Sequence, residues 1–203
     1  MKKITKIIIG THNKGKFSEL SSLLPKRLKK LSPEKLKIKS PKETGKSFKS
    51  NSKLKAIYFF KKTNITSISD DSGLCIDRLK NKPGIYSARW AKQHGGFQAA
   101  MGHIIKILEK KNRIRKNTKA KFVCSLTIQL NNKKSITVQG EIKGNISPSV
   151  IGNKGFGYDS IFIPNGYKIT FGQMTKKKKL FLDHRYIAYK KLKKKLLLNK
   201  IFF

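Results

Sequence analysis

Apolar positions along the chain fall into two periodicities, and their alternation lays out the elements. Ile7-Ile8-Ile9 is a continuous apolar run of strand length, so residues 4–10 read as a buried strand. A polar loop follows, then a helix from about Lys14 to Leu24, stopped near Pro25. Leu36 to Ser40 reads as a second short strand. Ser47 to Lys62 reads as a helix whose Leu54, Ile57 and Tyr58 share a face at i, i+3, i+4 spacing. Ile65 to Ser69 predicts a third strand, ending in the pair Asp70-Asp71. Beyond Pro83-Gly84, Gly96 to Lys111 predicts a helix with Ile104, Ile105 and Leu108 on its apolar side. Strands then dominate from Ala120 to Ile146, with Asn131-Asn132 as a hairpin turn. The end, from about Asp183 to Asn199, predicts an amphipathic helix with Tyr189, Leu192 and Leu196 on one side. Alternating strands and helices followed by a hairpin imply an α/β fold with a mixed sheet.

The 203 residues, 37% of them apolar, suit one globular domain or two closely joined lobes with a real core. No Pro/Gly-rich linker separates independent domains, and no repeat is visible, so residues 1–203 read as a single domain. No window approaches the roughly 18 to 20 consecutive apolar residues of a membrane span. The Met1-Lys2-Lys3 start is followed by too short an apolar stretch for a signal peptide. A cytoplasmic protein with no membrane partner is the expectation. Only Cys75 and Cys124 occur, without metal-ligand spacing, so neither a disulfide framework nor a zinc site is expected. Cys124, in a stretch whose even positions are apolar or small, is expected on the buried face of a strand.

The formal charge of +38 brings nucleic acid to mind. The lysines, however, are spread along the whole chain among many Ile, Asn and Phe, as a compositional bias would spread them, so no specific nucleic-acid partner is expected. The charge has an inverse use. With only ten carboxylates in the chain, two in sequence carry more information than usual.

Four segments carry chemistry. Gly10-Thr11-His12-Asn13-Lys14-Gly15-Lys16 joins a strand to a helix, where backbone N–H groups and the helix dipole favour bound phosphate. It nearly fits a P-loop, but Phe17 lacks the hydroxyl that would hold magnesium; the bland alternative is an Asn/Gly turn entering a helix. Ser69-Asp70-Asp71-Ser72-Gly73 offers adjacent carboxylates to a hard cation such as Mg2+, which bridges protein acids to substrate phosphates. Glu43 is the distant acid best suited to complete that site. Gly152 to Asp159 pairs permissive glycines with Phe156 and Tyr158, whose rings could face a nucleobase or simply fill a core. Lys179, with His184-Arg185 at the last helix, supplies phosphate-binding and base-edge donors, or else surface decoration.

The order of these blocks is more specific than any one of them. Thr-x-Asn-x-Gly-Lys, Glu-Thr-Gly followed by Phe48 and Asn51, Asp-Asp-Ser-Gly-Leu, Pro-Gly-Ile-Tyr-Ser-Ala-Arg from Pro83 to Arg89, Gly-Phe-Gly-Tyr-Asp and His-Arg together resemble the inosine-triphosphatase family from about Ile7 to Lys195. The resemblance implies a two-lobed α/β fold with a long, strongly twisted mixed sheet, a nucleotide cleft between the lobes, and a homodimer. It also implies hydrolysis of ITP, dITP and XTP to the monophosphate and pyrophosphate with Mg2+.

By matching motif, Thr11, His12, Asn13, Lys14, Gly15 and Lys16 would hold the triphosphate, and Ser72 would touch substrate. Asp71 would be proton acceptor and metal ligand, with Glu43 and Asp70 completing the metal set. Phe156, Gly157, Tyr158, Asp159, Lys179, His184 and Arg185 would form the base and ribose end. The chain departs from the common pattern at Lys42, where a second acid is frequent, and at Asp183, which replaces a Ser but caps a helix as well. The rival readings are a Maf-like pyrophosphatase of modified nucleotides and a basic nucleic-acid-binding protein.

Overall fold

The structure, a computed structural model, describes residues 2–110 and 118–203. In chain order the strands are β1 (Lys2–Lys3), β2 (Lys6–Ile9), β3 (Lys29–Leu31), β4 (Ser67–Ile76), β5 (Lys82–Pro83), β6 (Lys119–Gln129), β7 (Ser135–Ile146), β8 (Phe162–Pro164) and β9 (Ile201–Phe202). The helices are α1 (Lys14–Leu23), α2 (Phe48–Thr63), α3 (Ser87–Gln93), α4 (Phe97–Lys110), α5 (Lys176–Leu180) and α6 (His184–Leu198). Lys111, the last residue of the helix expected from Gly96, lies outside the described residues.

A seven-stranded sheet runs in the order β3-β2-β4-β6-β7-β8, with β5 paired to β4. β2 is parallel to β3 and β4, whereas the β4–β5 and β7–β8 pairs are antiparallel, so the sheet is mixed, as the sequence pattern predicts. The chain divides into two compact units interleaved along the sequence. Unit 1 is Met1–Asp71, Cys124–Gly140 and His184–Phe203; unit 2 is Ser72–Val123 and Glu141–Asp183.

In unit 1, Ile7, Ile8 and Ile9 are fully buried, which is why β2 reads as an unbroken apolar run rather than an alternating one. An apolar cluster joins Ile7, Ile9, Leu20 and Leu24 to Cys124, Leu126 and Ile128 and to Ala188, Tyr189, Leu192 and Leu196 of α6. Cys124 is buried as expected, but the alternating Ser125 and Thr127 are buried too. They meet α2, where Ser52 Oγ lies 3.0 Å from Ser125 Oγ and 2.9 Å from Thr127 Oγ1. The polar side of β6 is therefore satisfied by hydroxyls instead of solvent. The hairpin after β6 forms where Asn131 predicts it, with Asn131 Oδ1 accepting from the Lys133 and Lys134 amides at 2.9 Å each.

In unit 2, Ala100, Met101, Ile104, Ile105 and Leu108 form the buried stripe of α4, packed in one cluster with Phe122, Phe162 and Phe171. Gly73 sits inside β4 because a Cβ there would stand 2.1 Å from the Gly84 carbonyl and 2.5 Å from Ser87 Oγ. Ser87 Oγ uses that proximity to accept from the Leu74 amide and to donate to Gly84 O.

Three expectations are corrected. The short strand lies at Lys29–Leu31, where it pairs with β2, and not at Leu36–Ser40; there Lys37 closes a turn onto Glu34 O at 3.0 Å and Leu36 is exposed. β4 does not stop at Ser69 but continues through Asp70 and Asp71 to Ile76. The buried face of α2 is Asn51, Ser52, Lys55, Ala56, Phe59 and Phe60, leaving Leu54, Ile57 and Tyr58 half-buried.

Candidate active site

The strand–loop–helix opening of unit 1 is built by its own side chains. Thr11 Oγ1 accepts from the Asn13 amide at 3.2 Å, and Asn13 Oδ1 accepts from the Lys16 amide at 3.0 Å, capping α1. Asn13 is thus spent on the helix end. Gly10 carries no side chain because a Cβ would stand 2.2 Å from Ser69 Oγ and 2.4 Å from the Phe59 ring. His12 is exposed, its Nδ1 2.6 Å from Ser40 Oγ. A cavity of about 390 Å³ opens beside the loop, lined by Thr11, His12, Lys14, Phe17, Lys30 and Glu34 among others.

From the strand end the site runs to the acids. Asp70 is fully buried, and its Oδ2 takes Lys16 Nζ at 3.3 Å and Arg185 Nε at 3.2 Å. Arg185, itself 2% exposed, also pairs through Nη1 with Glu19 of α1. A buried chain of charges, Glu19, Arg185, Asp70, Lys16, ties α6 to α1 and to β4 within unit 1. Arg185 therefore anchors Asp70. His184 precedes it in the first turn of α6 and is buried, with its carbonyl close to Gly140 of β7.

Asp71 has a different environment. Its Oδ2 accepts from Asn51 Nδ2 at 3.0 Å, and Asn51 Oδ1 accepts from the Gly45 amide at 2.8 Å. Burial pushes the Asp71 carboxyl above the ordinary carboxylate range, and the charges of Lys55 and Lys16 offset only part of that. Lys55 responds in the opposite sense. Burial works against its charge, yet Asp70, Asp71 and Glu43 outweigh burial and hold its pKa above the ordinary lysine value. Its Nζ lies 2.6 Å from Glu43 Oε1.

The carboxylates Glu19, Glu43, Asp70 and Asp71 thus stand among the cations Lys16, Lys55 and Arg185, and burial still holds the Asp71 carboxyl above its ordinary range. Among the described residues no group of three or more His, Cys, Asp or Glu side chains gathers to hold a metal. Mg2+ does not require one, since it keeps several waters and binds through one or two carboxylates plus substrate phosphates. A buried acid, Asp71, with a second acid, Glu43, close enough to raise its pKa, fits such a cation.

The remaining sequence-predicted residues fall in unit 2. Ser72 is the first residue of that unit, next in chain to Asp71, and is half-buried. Asp159 Oδ2 accepts from the Phe156 amide at 2.8 Å and from Lys179 Nζ at 2.7 Å, closing the glycine loop on itself. Gly155 and Gly157 hold positive φ of 80° and 69°, and a Cβ on Gly155 would stand 2.2 Å from Asp159 Oδ2. Lys179 Nζ also sits 4.8 Å from the centre of the half-buried Phe156 ring. Tyr158 does not present a ring face. It is 2% exposed, edge-on to Phe97, with its hydroxyl donating to Ser87 O at 3.0 Å.

Sequence reading gave no role to Glu19, Asn51 or Lys55. Each left a trace. Asn51 and Lys55 are polar residues one turn apart on the stripe of α2 that also carries Ala56 and Phe59, and Glu19 is one of only ten acids in the chain.

The model of the Ham1 family matches residues 7–195. The chain is 38% identical over 196 residues to a dITP/XTP pyrophosphatase of Bradyrhizobium diazoefficiens, covering 92% of this chain and 93% of that one. It is also 38% identical over 205 residues to a dITP/XTP pyrophosphatase of Bartonella quintana, covering 95% of each. Among solved structures, a HAM1 protein from Coxiella burnetii superposes with a TM-score of 0.84 at 26% identity, and the Staphylococcus aureus Ham1 protein with 0.80 at 31%; each comparison covers 96% of this chain and 99% of the other. On the extent of these matches, the chain belongs to the Ham1 family.

Proposed function

We propose that this chain hydrolyses non-canonical purine nucleoside triphosphates, ITP, dITP and XTP, to the nucleoside monophosphate and pyrophosphate. The observation that carries the proposal is Asp71, a buried carboxylate of raised pKa held by Asn51 and faced by Lys16 and Lys55, in a chain whose relatives across more than nine-tenths of its length are named dITP/XTP pyrophosphatases.

The residues supply distinct parts of the reaction. A carboxylate whose proton affinity is raised by burial is a better general base than an exposed one, so Asp71 takes the proton of the water that attacks the α-phosphorus. Lys16, on α1 directly behind the Gly10–Asn13 loop and paired with Asp70, would offer its ammonium to the phosphate oxygens, and the N-terminal end of that helix favours the same anion. Lys55 keeps its proton and holds Glu43 in place. Asp71 and Glu43 would hold Mg2+, which when bound neutralises charge on the phosphoryl oxygens. Asp70, fixed by Lys16 and Arg185, keeps those cations in register with the loop.

Recognition of the base is part of the proposal. Donors that pair with a 6-oxo group face an amino group in adenine, a mismatch of about 1–3 kcal/mol per buried polar group left unpaired. The resemblance assigns this end to Phe156, Gly157, Tyr158, Asp159, Lys179, His184 and Arg185. A homodimer belongs to the proposal on the same ground, and sedimentation of the purified chain tests it. No described helix is long and apolar enough to cross a membrane; a cytoplasmic location is part of the proposal.

The test is a panel of ITP, dITP, XTP, ATP, GTP and dUTP with Mg2+. Preference for the first three, with pyrophosphate released, is the expected result. A preference for dUTP, or equal turnover of ATP, overturns the assignment.

A further inference from the structure

The side-chain amide of Asn51 is fully buried on α2 and has both of its ends in use. Its oxygen accepts from the Gly45 amide at 2.8 Å, and a backbone N–H can only donate. That bond fixes the orientation of the amide, so Nδ2 must point the other way, and there it meets Asp71 Oδ2 at 3.0 Å. The polarity is locked at both ends. Asp71 Oδ2 is held as an acceptor toward Asn51, which orients the carboxylate. Gly45 is bound into the same arrangement, since a Cβ there would stand 2.5 Å from Asn51 Oδ1 and 2.4 Å from Ser50 Oγ. Glu43, two residues before Gly45, is tied to the same helix one turn further on by Lys55.

We infer that Asn51 is the positioning residue of this site: it aims the Asp71 carboxylate and joins it to the Glu43–Gly45 loop through one rigid amide. The inference rests on the reading of Asp71 as the base. Asn51 touches no reacting atom and acts only through Asp71, which distinguishes it from a residue that binds the phosphates. Removing it leaves a correctly folded site whose base is misaimed, so turnover falls while substrate affinity stays.

The experiment is a double-mutant cycle on ITP hydrolysis, using Asn51→Ala and the near-isosteric Asn51→Leu, each alone and combined with Asp71→Asn. Asn51→Leu keeps the volume and adds no charge while deleting the donor to Asp71, so it separates aiming from packing. Thermal unfolding and calorimetric binding of α,β-methylene-ITP are measured on the same proteins. The expected result is a fall in kcat of about tenfold to a hundredfold in either single variant, with KM and analogue affinity within about twofold of the parent. In the Asp71→Asn background the same changes at position 51 cost less than about twofold, because the group through which Asn51 acts is already gone. Equal penalties in both backgrounds, a kcat near that of the parent, or a loss confined to KM overturns the inference while leaving the pyrophosphatase reading intact. An Asp71→Asn single variant with parental turnover overturns the inference together with the assignment of Asp71 as the base, whereas failure of the nucleotide panel overturns the pyrophosphatase reading itself.

Discussion

Lys55 Nζ lies 2.6 Å from Glu43 Oε1, so the acid best placed to share a cation with Asp71 is already held by a buried ammonium. The pair lets a lysine whose pKa is raised sit beside an aspartate whose pKa is raised, because the two groups pay for burial differently. Three neighbouring acids more than compensate Lys55, whereas Asp71 has another acid, Glu43, working against it. Replacing Lys55 with Met should free Glu43, remove the largest counter-charge of Asp71 and lower kcat by at least about tenfold. The pH–rate profile checks it: with the Asp71 pKa rising further, the acid limb of kcat/KM moves to higher pH than in the parent.

Asp71→Asn should lower turnover by about two to four orders of magnitude, the usual contribution of a general base, while making the protein more stable. The sign follows from linkage. A carboxyl whose folded-state pKa is raised binds its proton more tightly in the folded chain, so its ionisation costs stability at every pH above that folded value. The cost is relieved as pH falls toward the ordinary carboxylate range. Thermal unfolding at neutral pH should therefore give a higher Tm for Asp71→Asn, and the advantage should shrink as the buffer approaches pH ~4. A lower Tm at neutral pH contradicts this.

Arg185→Met should be destabilising by about 3–5 kcal/mol, since it removes the buried guanidinium that Glu19 and Asp70 share. Urea unfolding reads the loss directly. Glu19→Gln, which leaves Arg185 its Asp70 partner, should cost less.

Ser69 is fully buried and its hydroxyl finds no hydrogen-bond partner among the described residues. Ser69→Ala should accordingly be neutral or stabilising by about 1 kcal/mol, measured by the same unfolding experiment. A loss of more than about 1 kcal/mol contradicts the placement of the hydroxyl.

Much of this architecture is legible in the residues. Ile7 to Ile9, the α4 stripe around Ile104 and Leu108 and the α6 stripe of Tyr189, Leu192 and Leu196 lie where periodicity places them, because each buries apolar area in a regular pattern, and the Asn131 hairpin lies where its turn residues place it. The failures have a common cause. On α2 the interior face is occupied by Asn51, Ser52 and Lys55, so a reading that equates buried with apolar selects Leu54, Ile57 and Tyr58 instead. Asp70 and Asp71 terminate the apolar run of β4 in sequence but not in space, since their charges are met by Lys16, Lys55 and Arg185 from other elements. β3 carries two lysines, as suits an edge strand, and its place is set by pairing with β2 rather than by hydrophobic alternation. Local pattern carries no record of partners brought from distant sequence, and the polar interior of a site depends on such partners.

Hydrolysis of ITP in 18O-enriched water with Mg2+ tests the central claim most directly. Attack at the α-phosphorus by a water that Asp71 deprotonates predicts one labelled oxygen in inosine monophosphate and unlabelled pyrophosphate. Label in the pyrophosphate, release of orthophosphate with inosine diphosphate, or no turnover by folded protein contradicts it.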